Sequence, residues 1–274
     1  MTSYALSRNK VPSKAGEQAA RPPVLLVPGA FAGEWFYQDS LAPHFEAQGY
    51  QVFCVSFKSQ QHPRAQLSGY SLKRYQADLR EEIAAISAAH GPPIVIAHSM
   101  GGLVLLSLLP ELKLPAAVLL TPAVPEGLLA HWGFYRRQSK PSLAKFAAFM
   151  IYPPVRFWTA KPPLGLFSSR VPQATIERVN QRLQAESWLA IGSMAVGINL
   201  KLNKVTTPCL TVAAGQDGIV PPAAVKALAA KLDSKLLHYP EMAHLLTFEP
   251  DWPNLADDLS VWLEQTLSDN QALD

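Results

Sequence analysis

The sequence has few of the features that mark disulfide-rich, nucleic-acid-binding or membrane-spanning proteins. It contains only two cysteines, and both Cys54 and Cys209 lie in apolar, strand-like runs, which is typical of buried thiols rather than of a disulfide or a metal site. The formal net charge of +3 is too weak to predict nucleic-acid binding without a concentrated basic patch. The uncharged run over residues 91–110 is broken by prolines and glycines, so no transmembrane segment is expected.

The first residues also lack the apolar core of a secretion signal. Their Ser, Lys, Gln and Gly content predicts a flexible N-terminal tail over residues 1–21. Pro12 and Glu17 argue against the amphipathic, Arg-rich helix of a mitochondrial address. We therefore expect a cytoplasmic protein.

What the sequence does contain is an alternation of short apolar runs with longer helical patterns. The runs predicted as strands are 24–27, 50–57, 93–98, 116–121, 209–214 and 235–239. Helices are predicted over 34–48, 70–90, 100–110, 222–232 and 252–267. The strand runs are nearly continuous in apolar residues, as expected when helices cover both faces of a parallel sheet. This order predicts an α/β protein with a mostly parallel, doubly wound sheet.

One long segment interrupts the alternation. Residues 124–204 carry helical patches without a clear strand, and they are too many for an ordinary α/β connection. We predict that they form an inserted helical cap over the carboxyl ends of the strands, where ligands bind in such sheets. The predicted core then comprises residues 22–123 and 205–270.

A serine lies where a strand pattern changes abruptly to a helix pattern. In A-H-S-M-G-G, residues 97–102, Ser99 follows an apolar strand and directly precedes an apolar helix. A sharp strand-to-helix turn exposes a serine hydroxyl above the sheet, and it requires small residues two positions to either side, here Ala97 and Gly101. The N-terminus of the helix and the Met100 N–H group would then lie near a developing oxyanion.

This segment resembles the G-x-S-x-G nucleophile elbow of the α/β-hydrolase family, with Ala97 in place of the usual glycine. The resemblance implies the α/β-hydrolase fold and a catalytic triad in the chain order Ser, Asp, His. Asp217, in A-G-Q-D-G after the strand at 209–214, matches the acid. His244, in P-E-M-A-H-L after the strand at 235–239, matches the base.

Of the seven histidines, His244 alone lies at the position that the family pattern requires. His238 lies within the last predicted strand and is expected to point into the structure. His98 neighbours Ser99 but is expected to point elsewhere on the turn. The resemblance assigns His244 to take the Ser99 proton and then to protonate the leaving group, while Asp217 orients the imidazole.

The segment V-P-G-A-F-A-G-E-W, residues 27–35, resembles the strand and His-Gly-X loop of the same family, with Pro28 in place of the histidine. The resemblance implies an oxyanion hole formed by the N–H groups of Ala30 and Met100, with Phe31 the less favoured donor. The rings of Phe31 and Trp35 are expected either to line the pocket or to pack in the core.

The predicted cap is rich in aromatic and basic side chains. Residues 127–176 contain seven Lys and Arg residues and neither Asp nor Glu. The aromatic content favours a hydrophobic acyl or aryl substrate, with His131, Trp132 and Phe149 as candidate contacts. The basic residues form either a solvated face or a surface that attracts an acyl carrier or an anionic membrane.

These observations lead to one hypothesis with open alternatives. The preferred function is a serine hydrolase of the esterase or lipase type, which cleaves a hydrophobic carboxylic ester through an acyl-enzyme, without a metal or an organic cofactor. One alternative is a thioesterase or acyltransferase acting on a carrier-bound or coenzyme-A-bound acyl group. Others are cofactor-free chemistry known in the family, such as carbon–carbon bond hydrolysis or perhydrolysis, and a non-catalytic ligand receptor.

Overall fold

A parallel six-stranded sheet organises the protein in the computed structural model, which describes residues 21–55, 57, 69–138, 165–184 and 186–272. The strands are β1 (Val24–Val27), β2 (Val52–Cys54), β3 (Ile94–His98), β4 (Ala117–Leu120), β5 (Cys209–Ala214) and β6 (Lys235–Tyr239). Their order across the sheet is β2-β1-β3-β4-β5-β6, and every neighbouring pair is parallel. The predicted α/β class is confirmed, although β2 covers only the middle of the predicted run 50–57.

Eight α-helices accompany the sheet in the described residues. They are α1 (Leu41–Ala47), α2 (Leu72–His90), α3 (Ser99–Leu108), α4 (Trp132–Tyr135), α5 (Gln173–Arg182), α6 (Trp188–Val196), α7 (Pro222–Lys231) and α8 (Trp252–Gln271). α2, α3, α7 and α8 agree closely with the predicted ranges. None of the helices in the described ranges is long and apolar enough to cross a membrane.

The predicted helix over 34–48 is wrong in its middle. A 3₁₀ turn over Glu34–Tyr37 comes first, and α1 begins only at Leu41. Trp35, Phe36 and Tyr37 are all buried. Three consecutive side chains cannot all face the core from the single apolar stripe of a surface α-helix. The Tyr37 hydroxyl also donates to the Val27 carbonyl at 2.9 Å, which ties the turn to the end of β1.

The last strand is also less buried than its apolar sequence predicts. β6 lies at the edge of the sheet and pairs only with β5. Leu236 is 37% exposed, and His238 is exposed rather than pointing into the structure as expected. The prediction failed because an apolar run does not reveal whether its strand is central or at an edge.

The strand order creates a crevice between β1 and β3. The chain runs outward from β1 to β2 and then returns to β3 on the other side of β1. At such a reversal the following loops diverge to opposite faces and leave a crevice at the carboxyl ends of the strands. Because Val27 pairs with Ala97, the loop after β1 and the turn after β3 lie side by side at this crevice.

The turn between β3 and α3 is tightly constrained. Ser99 has a φ of 51°, in the left-handed region that side chains other than glycine rarely adopt. Two residues later, a Cβ atom on Gly101 would lie 2.4 Å from the Pro28 carbonyl oxygen. The glycine therefore lets α3 begin directly against the loop that follows β1.

Adding a methyl group at Gly101 should destabilise the fold. Gly101→Ala is expected to lower the free energy of unfolding by about 1–3 kcal/mol, because the close approach to a backbone oxygen cannot relax cheaply. Gly192 in α6 is the matched control, since a Cβ atom there meets nothing within 4 Å. Gly192→Ala should leave stability unchanged or raise it by about 0.5–1 kcal/mol. Equal urea-unfolding curves for the two variants would contradict the close approach.

Candidate active site

Three polar side chains meet at the carboxyl ends of the strands. Ser99 follows β3 directly, while Asp217 and His244 lie in the loops after β5 and β6. The Ser99 Oγ atom lies 2.9 Å from His244 Nε2, and His244 Nδ1 lies 2.8 Å from Asp217 Oδ2. All three residues are buried. The structure thus brings together the three residues that the family resemblance assigned to a catalytic triad. Their catalytic roles remain predictions.

Asp217 is held by its own turn. One carboxylate oxygen, Oδ1, accepts hydrogen bonds from the N–H groups of Ile219 and Val220, each at 2.8 Å. The other oxygen, Oδ2, is left to accept from His244 Nδ1. An imidazole that donates from Nδ1 presents a lone pair at Nε2 while it is neutral. This arrangement suits His244 to accept a proton from the Ser99 hydroxyl.

The backbone of His244 is fixed from three directions. Its carbonyl oxygen accepts from Thr121 Oγ1 at 3.1 Å and from His98 Nε2 at 3.0 Å. Its N–H group donates to the Gly165 carbonyl at 3.0 Å. These contacts come from the ends of β4 and β3 and from residues 124–204, so the imidazole is anchored to the sheet as well as to that segment.

His98 belongs to this site, contrary to the expectation that it points elsewhere on the turn. Its ring stacks on Phe36 with centroids 4.8 Å apart and lies 4.8 Å from the His244 ring. Because a carbonyl only accepts, the bond to the His244 oxygen requires a proton on His98 Nε2. Burial holds the pKa of His98 well below its ordinary value, and repulsion from a protonated His244 lowers this pKa further. The His98 ring therefore stays neutral. The sequence signal that could have placed His98 in the site is its position at the end of the β3 run, next to Ser99.

The loop after β1 approaches Ser99 through a glycine. A Cβ atom on Gly29 would lie 2.7 Å from His98 Nδ1 and 3.0 Å from Ser99 Cβ, so only glycine fits there without rearrangement. The next residue, Ala30, lines the same pocket as Ser99. The Phe31 N–H group, which was the less favoured oxyanion donor, instead donates to Glu186 Oε2 at 3.1 Å. This geometry leaves Ala30 and Met100 as the predicted donors.

An apolar pocket opens beside Ser99. The rings of Phe31 and Trp35 line it, and both are also buried in the hydrophobic core. Residues 124–204 contribute an apolar wall made of Leu128, Leu166, Val179, Leu183, Ile191 and Met194. Among the described residues that line the pocket, the polar ones are His98, Ser99 and His244. The pocket therefore suits an uncharged, apolar group next to the serine.

Two other predicted substrate contacts do not line this pocket. His131 and Trp132 are not among the described residues that line the pocket, and Trp132 is 54% exposed. In this stretch the inward positions belong to Leu128 and to Tyr135, whose hydroxyl donates to the Ile219 carbonyl at 2.7 Å. Phe149 falls in residues 139–164, outside the described residues.

The basic side chains of the predicted cap do not reach the pocket where they are described. Arg136 and Arg137 are exposed, and Arg170 pairs with Asp251 at 2.5 Å. The remaining four basic residues of the stretch 127–176 lie in residues 139–164, outside the described residues. Within the part of the chain that is described, no group of three or more His, Cys, Asp or Glu side chains is arranged to hold a metal ion.

Known proteins share this architecture. Among solved structures, MenH from S. aureus aligns with a TM-score of 0.68 at 14% identity, over 91% of this chain and 96% of that one. The monoacylglycerol lipase of Paleococcus ferrophilus aligns at 0.64 and 17%, over 89% and 96% of the two chains. Est816, an N-acyl homoserine lactone degrading enzyme, aligns at 0.64 and 16%, over 87% and 92%. At these identities the similarity shows the fold alone.

Sequence comparison gives the family. No curated protein matches the chain. The model of the alpha/beta hydrolase family, however, matches residues 24–254. Because this match spans most of the chain and agrees with the parallel sheet and its flanking helices, the protein belongs to the alpha/beta hydrolase family.

Proposed function

We propose that the protein is a serine hydrolase that cleaves a hydrophobic carboxylic ester through an acyl-enzyme intermediate. The observation that carries the proposal is the continuous hydrogen-bonded chain from Ser99 Oγ through His244 to Asp217, with bonds of 2.9 and 2.8 Å. A serine hydroxyl is a weak nucleophile at neutral pH, and a base within hydrogen-bonding distance is what activates it.

Acylation follows from the orientation of His244. Its Nε2 atom takes the Ser99 proton as Oγ attacks the ester carbonyl carbon, and a tetrahedral intermediate forms. The imidazolium produced in this step donates from Nδ1 to the Asp217 carboxylate, which stabilises its positive charge. His244 then protonates the leaving alcohol as the carbon–oxygen bond of the ester breaks. The acyl group remains on Ser99.

The negative charge of the intermediate needs fixed donors. We assign this role to the N–H groups of Ala30, in the loop after β1, and of Met100, in the first turn of α3. Two preorganised donors aimed at one oxygen are worth several kcal/mol in sites of this kind. The neutrality of His98 supports the scheme, because a second positive charge next to His244 would oppose imidazolium formation.

Deacylation repeats the chemistry with water. His244 Nε2 removes a proton from a water molecule as its oxygen attacks the acyl carbon. Collapse of the second tetrahedral intermediate breaks the bond to Ser99 Oγ, which recovers its proton from His244. The carboxylic acid leaves, and the site returns to its starting state.

An apolar carboxylic ester is the substrate class that this pocket favours. The described residues that line the pocket are apolar apart from His98 and the reacting side chains, and none of them is a lysine or an arginine. Two structural neighbours, a monoacylglycerol lipase and an enzyme that degrades N-acyl homoserine lactones, carry names consistent with apolar acyl substrates. A coenzyme-A thioester would bring phosphate groups, for which the described lining of the pocket offers no cationic partner.

Removing the hydroxyl should abolish covalent catalysis. Ser99→Ala is expected to lower kcat for a p-nitrophenyl ester by roughly 10⁴- to 10⁶-fold, because the nucleophile is lost while the fold remains. A fluorophosphonate probe should label the wild-type protein and fail to label this variant. Ser107→Ala, on the same helix, is the control and should react normally. Wild-type turnover by Ser99→Ala would refute the proposal.

The apolar wall can be tested on α6. Met194 lines the pocket, whereas Leu189, on the same helix, is exposed. Met194→Gln should lower kcat/KM for p-nitrophenyl hexanoate roughly 10-fold, since an apolar acyl chain would bury an amide without a hydrogen-bond partner. Leu189→Gln should leave kcat/KM unchanged. If the two variants behave alike, the pocket beside Ser99 does not bind the acyl chain.

A further inference from the structure

A buried carboxylate from the segment 124–204 contacts the loop after β1. Glu186, between α5 and α6, is 4% exposed. Its Oε2 atom accepts from the Phe31 N–H group at 3.1 Å, and its Oε1 atom accepts from the Ser187 N–H group at 2.8 Å and from the Tyr75 hydroxyl. These three donors are all uncharged.

The burial of the Glu186 carboxylate is unfavourable for the stability of the fold. Burial raises the pKa of Glu186, and the hydrogen bonds from Tyr75, Ser187 and Phe31 oppose that rise only in part. A buried charge that is satisfied by neutral donors costs more to fold than a well-packed apolar side chain of the same size. Groups retained at such a cost are concentrated at functional sites.

The partner of Glu186 has an unusual backbone. Phe31 has a φ of 63°, in the left-handed region, a conformation that costs a non-glycine residue about 1–3 kcal/mol and persists only when its surroundings enforce it. Gln184 and Glu186 bind the two backbone polar groups of Phe31. Glu186 binds its N–H group, and the Gln184 N–H group donates to its carbonyl oxygen at 2.8 Å.

The Phe31 N–H group is directly coupled to the neighbouring amide. It belongs to the planar peptide unit between Ala30 and Phe31, and only the φ and ψ angles of Ala30 separate this plane from the one that carries the Ala30 N–H group. An anchor on the first plane therefore restricts the second. The Ala30 amide is the proposed oxyanion donor, and a misplacement of about 1 Å in a catalytic group can cost roughly 10²-fold in rate.

We propose that Glu186 is a positioning residue for the oxyanion hole. By anchoring the Phe31 amide, its carboxylate keeps the Ala30 N–H group directed at the carbonyl oxygen of the ester that Ser99 attacks. The inference rests on the proposed serine-hydrolase function. It assigns to the segment 124–204 a role in transition-state stabilisation, in addition to the apolar wall that the segment contributes to the pocket.

Three variants of the full-length protein test the proposal with p-nitrophenyl hexanoate. Glu186→Leu removes the acceptor and should lower kcat about 10- to 100-fold with KM nearly unchanged, because an interaction specific to the transition state is weakened. Glu186→Gln keeps one acceptor oxygen but replaces the other with an NH2 donor, which must face either the Phe31 N–H group or the Ser187 N–H and Tyr75 hydroxyl groups. The anchor is therefore weakened rather than removed, and kcat should lie between those of Glu186→Leu and the wild type. Ser187→Ala removes only the hydrogen bond from Ser187 Oγ to the Tyr70 carbonyl. It should lower stability and leave kcat intact.

The outcomes separate this inference from the proposed function. If the wild-type protein neither hydrolyses esters nor reacts with a fluorophosphonate at Ser99, the proposed function fails. If the wild-type protein is active but folded Glu186→Leu keeps its kcat, the role of Glu186 is refuted. A loss of kcat in Ser187→Ala as large as that in Glu186→Leu would also refute it, since disruption of the neighbourhood would then suffice. If Glu186→Leu does not fold, Glu186→Gln decides, and wild-type kcat in that variant overturns the inference.

Discussion

The hydrogen bond between Ser99 Oγ and His244 Nε2 constrains how the loops at the carboxyl ends of the strands are placed, because it joins atoms of residues 145 positions apart in the sequence. Proton transfer tolerates little error in this distance. On one side, the left-handed turn at Ser99 fixes the hydroxyl at the start of α3. On the other side, the His244 carbonyl is bound by Thr121 and His98, and its imidazole is bound by Asp217. The hydrogen bond is thus set by contacts from the ends of β3 and β4 in addition to the loops that carry His244 and Asp217.

The segment 124–204 contacts each of the loops that carry this geometry. The Gly165 carbonyl accepts from the His244 N–H group, the Tyr135 hydroxyl donates to the loop that contains Asp217, and Glu186 accepts from Phe31. The same segment forms the apolar wall of the pocket. The apolar wall is therefore connected by hydrogen bonds to His244, to the loop that contains Asp217 and to the loop after β1.

Local sequence patterns predicted the parts of the structure that local rules govern. The apolar runs located all six strands, and the resemblance to the α/β-hydrolase family pointed to Asp217 and His244 in the loops after the last two. Long-range packing decided the rest. The edge position of β6, the broken helix around Tyr37 and the inward place of His98 each depend on neighbours distant in the sequence. The contact between Glu186 and Phe31 spans 155 residues, and no periodicity or motif in either segment signals it.

The most direct test of the account is the identity of the atom that carries the acyl group. A p-nitrophenyl carbamate ester forms a carbamoyl-enzyme that hydrolyses slowly, so the adduct can be located by mass spectrometry of proteolytic peptides. Attack by the Ser99 hydroxyl predicts one carbamoyl group per chain, on the peptide that contains Ser99, and no adduct when His244 is replaced by alanine. Release of p-nitrophenol without an adduct on Ser99, or with the adduct on another residue, would contradict the account.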